Sequence, residues 1–350
     1  MIPGRARPLR WLVLAGLVLS GCASSTRVDI RSSPSADTRS TDTVAGSVAA
    51  PASTAPGDTS ASTSAPGQSA AATTTTRPVD CTGLAPMTAA DRTLAMGDDV
   101  RTYRLSLPRG YDNTWAAPVV VSLPGYGATA AEFDAVTSIS KVAKRRGFIV
   151  VTPDAAADPP SWNVRADPDR LDDFAFIHAL TAEVRQILCV EQDHFFVLGH
   201  ANGGKFAAAV ACSSPPEFAG LALVSASELP TCADDVQPPF LAIAGTADET
   251  NPYEGDGAKQ PGAIEAVEAW ATHDGCAAQP VTVDLAVGVQ ALEYAECVAG
   301  KVALITVTGG ANPWPGGTIA AVYDGNSEAG RTFDATDAVM DFFKDLVDEG

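Results

Sequence analysis

The sequence predicts an α/β domain with a mainly parallel sheet covered by helices on both faces. Two observations carry this expectation. Short apolar runs of β-type residues recur at 119–123, 148–151, 194–198, 221–225, 240–244 and 302–307, and such runs, bounded by turn residues, read as strands buried on both sides. Between them lie helical spacings, such as Phe174, Ile177, Leu180, Val184 and Leu188, or Ile264, Val267 and Trp270, each of which turns one apolar face to a core.

Taken in order, residues 103–107 are expected to add an antiparallel edge hairpin ahead of the first parallel strand. The strand at 194–198 runs into a glycine-rich turn and then a small-residue helix over 206–212. Residues 281–286 and 289–294 read as a hairpin, and a final helix is expected from near Thr336, burying Val339, Phe342, Phe343 and Leu346.

Ahead of the domain, Arg5, Arg7 and Arg10 precede an apolar run over 11–19, too short for a permanent membrane span. It ends in Leu19-Ser20-Gly21-Cys22, which resembles a bacterial lipobox, so residues 1–21 are expected to be a lipoprotein signal peptide, with Cys22 the lipidated terminus. A membrane anchored through Cys22 is then the expected partner, on the extracytoplasmic face. Residues 22–79 are dominated by Ser, Thr, Ala, Pro and Gly, and no aromatic residue occurs between Trp11 and Tyr103. Such a segment buries too little apolar surface to offset its ordering entropy and reads as a disordered tether with a reach of about 40 Å. Residues 80–350 are left as one globular domain.

The formal net charge of −19 argues against nucleic acid as a partner. Beyond Cys22 the cysteines are Cys81, Cys189, Cys212, Cys232, Cys276 and Cys297, an even set that predicts disulfides in an exported chain. Metal is not expected, because no C-x-x-C pair exists and His178, His194, His200 and His273 lie apart from any ligand spacing. No cofactor is expected either.

The chemistry-bearing stretch is Gly199-His200-Ala201-Asn202-Gly203-Gly204, between a strand and a helix. This is the setting of a nucleophile elbow, where glycines permit a sharp turn, the central residue is presented at the sheet edge, and the next backbone N–H faces an oxyanion. The presented residue should be serine; here it is Ala201, whose methyl group has no lone pair and no proton to give up.

Together with Arg101-Thr-Tyr-Arg104, Pro108-Arg-Gly-Tyr111, Leu123-Pro-Gly-Tyr-Gly127, Trp162-Asn163, Asp172-Asp173, Gly245-Thr-Ala-Asp248 and Trp314-Pro-Gly-Gly317, the elbow makes the domain resemble the polyhydroxybutyrate depolymerase and feruloyl esterase-like group of α/β-hydrolases. The resemblance implies an α/β-hydrolase fold and an ester-hydrolase ancestry. It also implies that Asp248 matches the acid of a catalytic triad, that Asn312 stands where the histidine base belongs, and that Gly125, Tyr126 and Asn202 match the oxyanion loops. Pro124 stands where that group usually has histidine. A carboxamide takes no proton from a hydroxyl near neutral pH, so both the nucleophile and the base are expected to be missing.

Two accounts of Gly199, Gly203 and Gly204 are open: a working site, or a turn whose close helix–sheet packing still requires them. Trp162 and Trp314 either line the cleft or fill the core. A relocated triad would have to use His200, Ser213, Ser214 or His273, but the residue before a nucleophile is expected to point away from the cleft. The function readings are a non-catalytic anchored protein that binds an ester-like or cell-envelope ligand, an ester hydrolase with residual or rewired activity, and a purely structural envelope module. Among disulfides, Cys189 precedes the elbow strand and Cys212 ends the helix after it, so those two are expected to bond. Cys276 and Cys297 flank the hairpin, which leaves Cys81 with Cys232.

Overall fold

A computed structural model describes residues 80–213, 217–257, 259–277, 279–298, 300–317 and 327–349. The expected signal peptide, the tether, Cys22 and Ser214 lie outside the described residues.

The domain opens with a hairpin, β1 (Ala90–Met96) and β2 (Asp99–Ser106), turned at Gly97, whose φ is +67°. The parallel strands are β3 (Ala117–Leu123), β4 (Ile149–Pro153), β5 (Val190–His200), β6 (Gly220–Val224), β7 (Phe240–Gly245) and β10 (Gly300–Val307). The hairpin β8 (Val281–Ala286) and β9 (Val289–Cys297) extends the sheet through antiparallel pairing of β9 with β10. The order across the sheet is β1-β2-β4-β3-β5-β6-β7-β10-β9-β8, with β2 antiparallel to β4. This is the mostly parallel sheet that the α/β-hydrolase resemblance implies.

Both faces of the parallel strands are buried, and the two sides separate residue by residue because side chains alternate along a strand. Val119, Val121, Phe195, Val197, Phe240 and Leu304 meet the layer of α3 (Asp173–Ile187), α4 (Asn202–Ala211) and α5 (Ala263–His273). Val120, Phe196, Leu198, Ile243 and Ile305 meet the layer of α2 (Ile139–Arg146) and α7 (Ala335–Glu349). The short helices α1 (Ala130–Thr137) and α6 (Glu328–Thr332) complete the described elements. Among the described residues no helix is long and apolar enough to cross a membrane, and no group of His, Cys, Asp or Glu is placed to hold a metal ion.

Two of the three expected disulfides are corrected. Cys81 bonds Cys189 and Cys212 bonds Cys232, whereas Cys276 bonds Cys297. Cys189 and Cys212 do lie toward one end of the sheet, but on opposite sides of β5. The Cys189 carbonyl accepts the N–H of Ala117 at the start of β3, while α4 crosses from β5 toward β6, on the other flank. The N-terminal segment reaches Cys189 instead: Asn113 donates to the carbonyls of Ala85 and Ile187 and accepts the Cys189 N–H, tying that segment beside it.

Candidate functional site

β5 delivers the chain to Ala201, which adopts φ 47° and ψ −113° before α4 begins at Asn202. A non-glycine residue with positive φ outside the usual wells stores roughly 1–3 kcal/mol and persists only where its surroundings dictate it. The surroundings here are backbone. A Cβ on Gly199 would stand 2.1 Å from the Gly203 carbonyl oxygen, and one on Gly203 would stand 2.3 Å from the carbonyl oxygens of Leu123 and Pro124. One on Gly204 would meet the Ala226 methyl at 2.7 Å. The glycines are therefore required by packing, and the elbow keeps its shape without a nucleophile at its apex.

The loop over the elbow is fixed by hydrogen bonds. Asn202 Oδ1 accepts the Trp162 N–H at 2.8 Å, and Trp162 Nε1 donates to the Pro124 carbonyl at 2.9 Å. Trp162 is 1% exposed and stacks on Phe206 with ring centroids 5.1 Å apart. It is absent from the cleft lining, so of the two readings left open for it the structure gives the core one, and it fixes the Pro124 backbone and the Asn202 side chain. The Asn202 N–H belongs to the first turn of α4, whose donors have no intrahelical acceptor. It is thus available beside Ala201, as an oxyanion donor would be.

Downstream of β7, Asp248 is buried, and its carboxylate is fully engaged. Oδ1 accepts the N–H groups of Thr250 at 2.8 Å and Asn251 at 2.9 Å, and Oδ2 accepts Asn312 Nδ2 at 3.1 Å. Asn312 comes from the loop after β10, so the two positions matched to the acid and the base do meet, although they meet as carboxylate and carboxamide.

His200 departs from expectation, because its ring forms part of the cleft wall. It lies between Phe133 and Trp314, with centroids at 6.2 Å and 6.0 Å. Its Nε2 is 2.8 Å from the Asn312 carbonyl oxygen. A carbonyl only accepts, so Nε2 carries the proton and Nδ1 keeps the lone pair. Nδ1 is packed against the loop at Gly125, for a Cβ there would approach it to 2.8 Å. Burial of the ring lowers its pKa against the opposing pull of the Asn312 carbonyl and the Asp248 charge. The result is a neutral imidazole with no hydroxyl bonded to it among the described residues. His273 and Ser213 lie elsewhere: His273 faces Asp274, and Ser213 faces the Val210 carbonyl and His178.

Gly125, Tyr126, His200, Ala201, Asn202, Asn312 and Trp314 line one open cavity of about 740 Å³. Trp314 contributes a ring face while its Nε1 is anchored on Thr336 at 2.9 Å. Sequence reasoning missed the remainder of the lining. Glu132, Lys205, Asn251 and Gln260 bring charged and carboxamide groups from segments that no motif marked. Lys205 lies one turn beyond the elbow, and its ammonium is 3.6 Å from Glu228, whose carboxyl burial pushes upward in pKa. The cavity thus offers aromatic faces, several carboxamides and the Asn202 N–H, but no paired hydroxyl and imidazole.

The motifs around Trp162 serve this architecture. Asp173 is fully buried and pairs with Arg101 at 2.8 Å, while its Oδ2 accepts the Asn163 N–H at 2.7 Å. Asn163 in turn donates to the carbonyls of Asp167 and Leu171. The ion pair therefore holds the loop that carries Trp162.

No protein-family model matches the chain. It is 28% identical over 302 residues to NocK of Nocardia uniformis subsp. tsuyamanensis, a protein named as a candidate esterase, covering 76% of this chain and 85% of that one. To feruloyl esterase C of Emericella nidulans it is 33% identical over 85 residues, spanning 24% of this chain and only 32% of that protein's length. In structure it resembles the acetyl xylan esterase from Aspergillus awamori with a TM-score of 0.54 at 13% identity, over 73% of this chain and 98% of that one. A likeness at that identity speaks for the fold alone. The chain has the α/β-hydrolase fold, and the proteins it resembles in sequence and structure are esterases of that type.

Proposed function

We propose that this protein is a non-catalytic, envelope-anchored relative of the esterases, which binds an ester-like or cell-envelope ligand in the cleft around Ala201. The observation that carries the proposal is the bond from Asn312 Nδ2 to Asp248 Oδ2. The acid that would orient an imidazole holds a carboxamide instead, below an elbow that presents a methyl group. In a serine hydrolase, loss of nucleophile or base alone costs roughly 10⁶ in turnover and leaves about 10³–10⁴ over water from binding and the oxyanion donors. Both groups are replaced here.

The volume and polar lining of the cavity favour a ligand over a purely structural role, because a filled cleft would leave nothing to bind. A residually active ester hydrolase draws support from the available Asn202 N–H and from the names of the relatives, but it needs a base for which neither Asn312 nor His200, its Nε2 held by the Asn312 carbonyl and its Nδ1 against Gly125, qualifies. Anchoring through Cys22 belongs to the same proposal, and a Cys22→Ala chain should leave the membrane fraction.

The test is hydrolysis of a short activated ester by the purified protein beside an Ala201→Ser/Asn312→His variant. Turnover near the uncatalysed rate for the unmodified protein, with a gain in the variant, supports the reading. Ordinary enzymatic turnover by the unmodified protein, blocked by hydroxyl-directed inhibitors, overturns it.

A further inference from the structure

A second cavity, which shares helix α1 with the cleft, has a charge that runs against that of the whole chain. The protein carries 42 acidic and 23 basic residues. Yet a pocket of about 520 Å³ between the end of β2, the α1–α2 junction and α2 is lined by Arg109, Lys141, Lys144 and Arg145, with the hydroxyls of Ser106, Ser138 and Ser140. The cations come from two segments held in register, because the Arg109 N–H donates to the Lys144 carbonyl at 3.2 Å. Ser106 Oγ bonds Ser140 Oγ at 2.8 Å, which fixes the hydroxyl floor.

Basic residues at the last turn of α2 would be expected from the helix dipole alone, and a solvated helix end would need nothing more. Two features go beyond that. Arg146, on the other side of the same turn, is answered by Asp337 and Asp341, and Arg104, Lys301 and Lys344 also pair with carboxylates. Among the described residues none of the four cations of the pocket has an ion-pair partner. Lys141, in addition, lies in the first turn of α2, where the dipole disfavours a cation. The one carboxylate in the lining, Asp134, accepts the Ser140 N–H at 3.0 Å. It is thereby committed to the helix start and leaves a net excess of positive charge.

We infer that this pocket is a binding site for a phosphate-ester anion. Four cations against one carboxylate suit a ligand of more than one negative charge, and serine hydroxyls with lysine and arginine donors are the groups that bond phosphate oxygens. A single carboxylate ligand would leave most of this charge unanswered. Ser106 is paired with Val150 near the start of β4, so the Ser106 side of the pocket lies toward the opposite end of the parallel strands from Ala201. Cys81 is bonded beside the start of β5, at that same end. The phosphate could therefore be a free ester or the headgroup of an anionic lipid.

The experiment uses the full chain carrying Cys22→Ala, so that no anchor contributes, at constant ionic strength. It is titrated calorimetrically with glycerol 3-phosphate and sedimented with vesicles of phosphatidylglycerol in phosphatidylcholine. Lys141→Ala/Lys144→Ala is compared with Lys301→Ala/Lys344→Ala, which removes the same charge elsewhere; all four side chains are at the surface, and thermal unfolding checks that each variant is folded. The expected result is a loss of about tenfold or more in the first variant and little change in the second, since each cation near an anionic surface contributes roughly a fivefold factor. Binding of the soluble ester alone identifies a free ligand, and vesicle binding competed by that ester identifies a headgroup. Failure of both probes to bind, or an equal loss in both variants, overturns the site.

Discussion

Asn312 and Asp248 lie 3.1 Å apart, amide nitrogen to carboxylate oxygen, and join the loops that follow β10 and β7. The carboxylate is buried, with its other oxygen occupied by two backbone N–H groups, so Asn312 supplies the donor that the second oxygen needs. Asn312→Ala should lower stability by about 1–3 kcal/mol, the cost of stranding a buried acceptor, as read from the midpoint of urea unfolding. Asn312→His should restore most of it, because an imidazole N–H donates to the same oxygen. An alanine variant as stable as the parent would mean that water replaces the amide there.

The Arg101–Asp173 pair predicts a larger effect. Both side chains are almost wholly buried, and removing one partner strands a charge, which typically costs roughly 3–5 kcal/mol. Asp173→Ala should lower the urea midpoint and also quench the packing of Trp162, seen as a change in tryptophan fluorescence under native conditions. Unaltered stability would separate this pair from the loop it is said to hold.

His200 sets a pH dependence of known sign. Burial depresses its folded pKa below the ordinary 6.5, so the unfolded chain binds more protons as pH falls through 6.5. The stability contributed by the neutral ring is complete above that value and is lost on acidification toward the folded pKa. His178 works oppositely: its hydrogen bond with Glu217 raises the pKa, and its contribution is lost as pH rises above 6.5. Imidazole proton shifts followed by NMR from pH 4 to 8 should show His200 titrating lowest of the two. A His200 midpoint at or above 6.5 would contradict a neutral ring whose Nε2 donates to the Asn312 carbonyl.

The disulfide pattern is checked by mass mapping of unreduced peptides, which should recover Cys81 with Cys189, Cys212 with Cys232 and Cys276 with Cys297. The first bond closes a separation of 108 residues. A Cys81→Ser/Cys189→Ser chain should lose roughly 2–5 kcal/mol, the largest loss of the three if the longer loop governs.

Much of this architecture was legible in the sequence, for reasons that differ by element. Buried parallel strands leave uninterrupted apolar runs, and the elbow is written in Gly199, Gly203 and Gly204 because backbone approaches of 2–3 Å tolerate no side chain. The meeting of Asp248 with Asn312 followed from the resemblance. The helices α1 and α2 did not emerge, since each is only eight residues and offers too few turns for periodicity. The capping box of Thr129 with Glu132 was the available signal. The place of His200 depends on a backbone carbonyl and on Trp314, more than a hundred residues away, and no local pattern encodes that. The same holds for Glu132 on α1, for Asn251 and Gln260, which reach the cleft from a loop, and for cysteines whose partners depend on which flank of β5 a segment passes.

The most direct measurement is intact mass after incubation with a fluorophosphonate, which bonds covalently to an activated serine oxygen. The unmodified protein should gain no adduct, while the Ala201→Ser/Asn312→His variant should gain one at position 201. A stoichiometric adduct on the unmodified protein would mean that another hydroxyl is activated in the fold, and the account of a cleft without a nucleophile would fail.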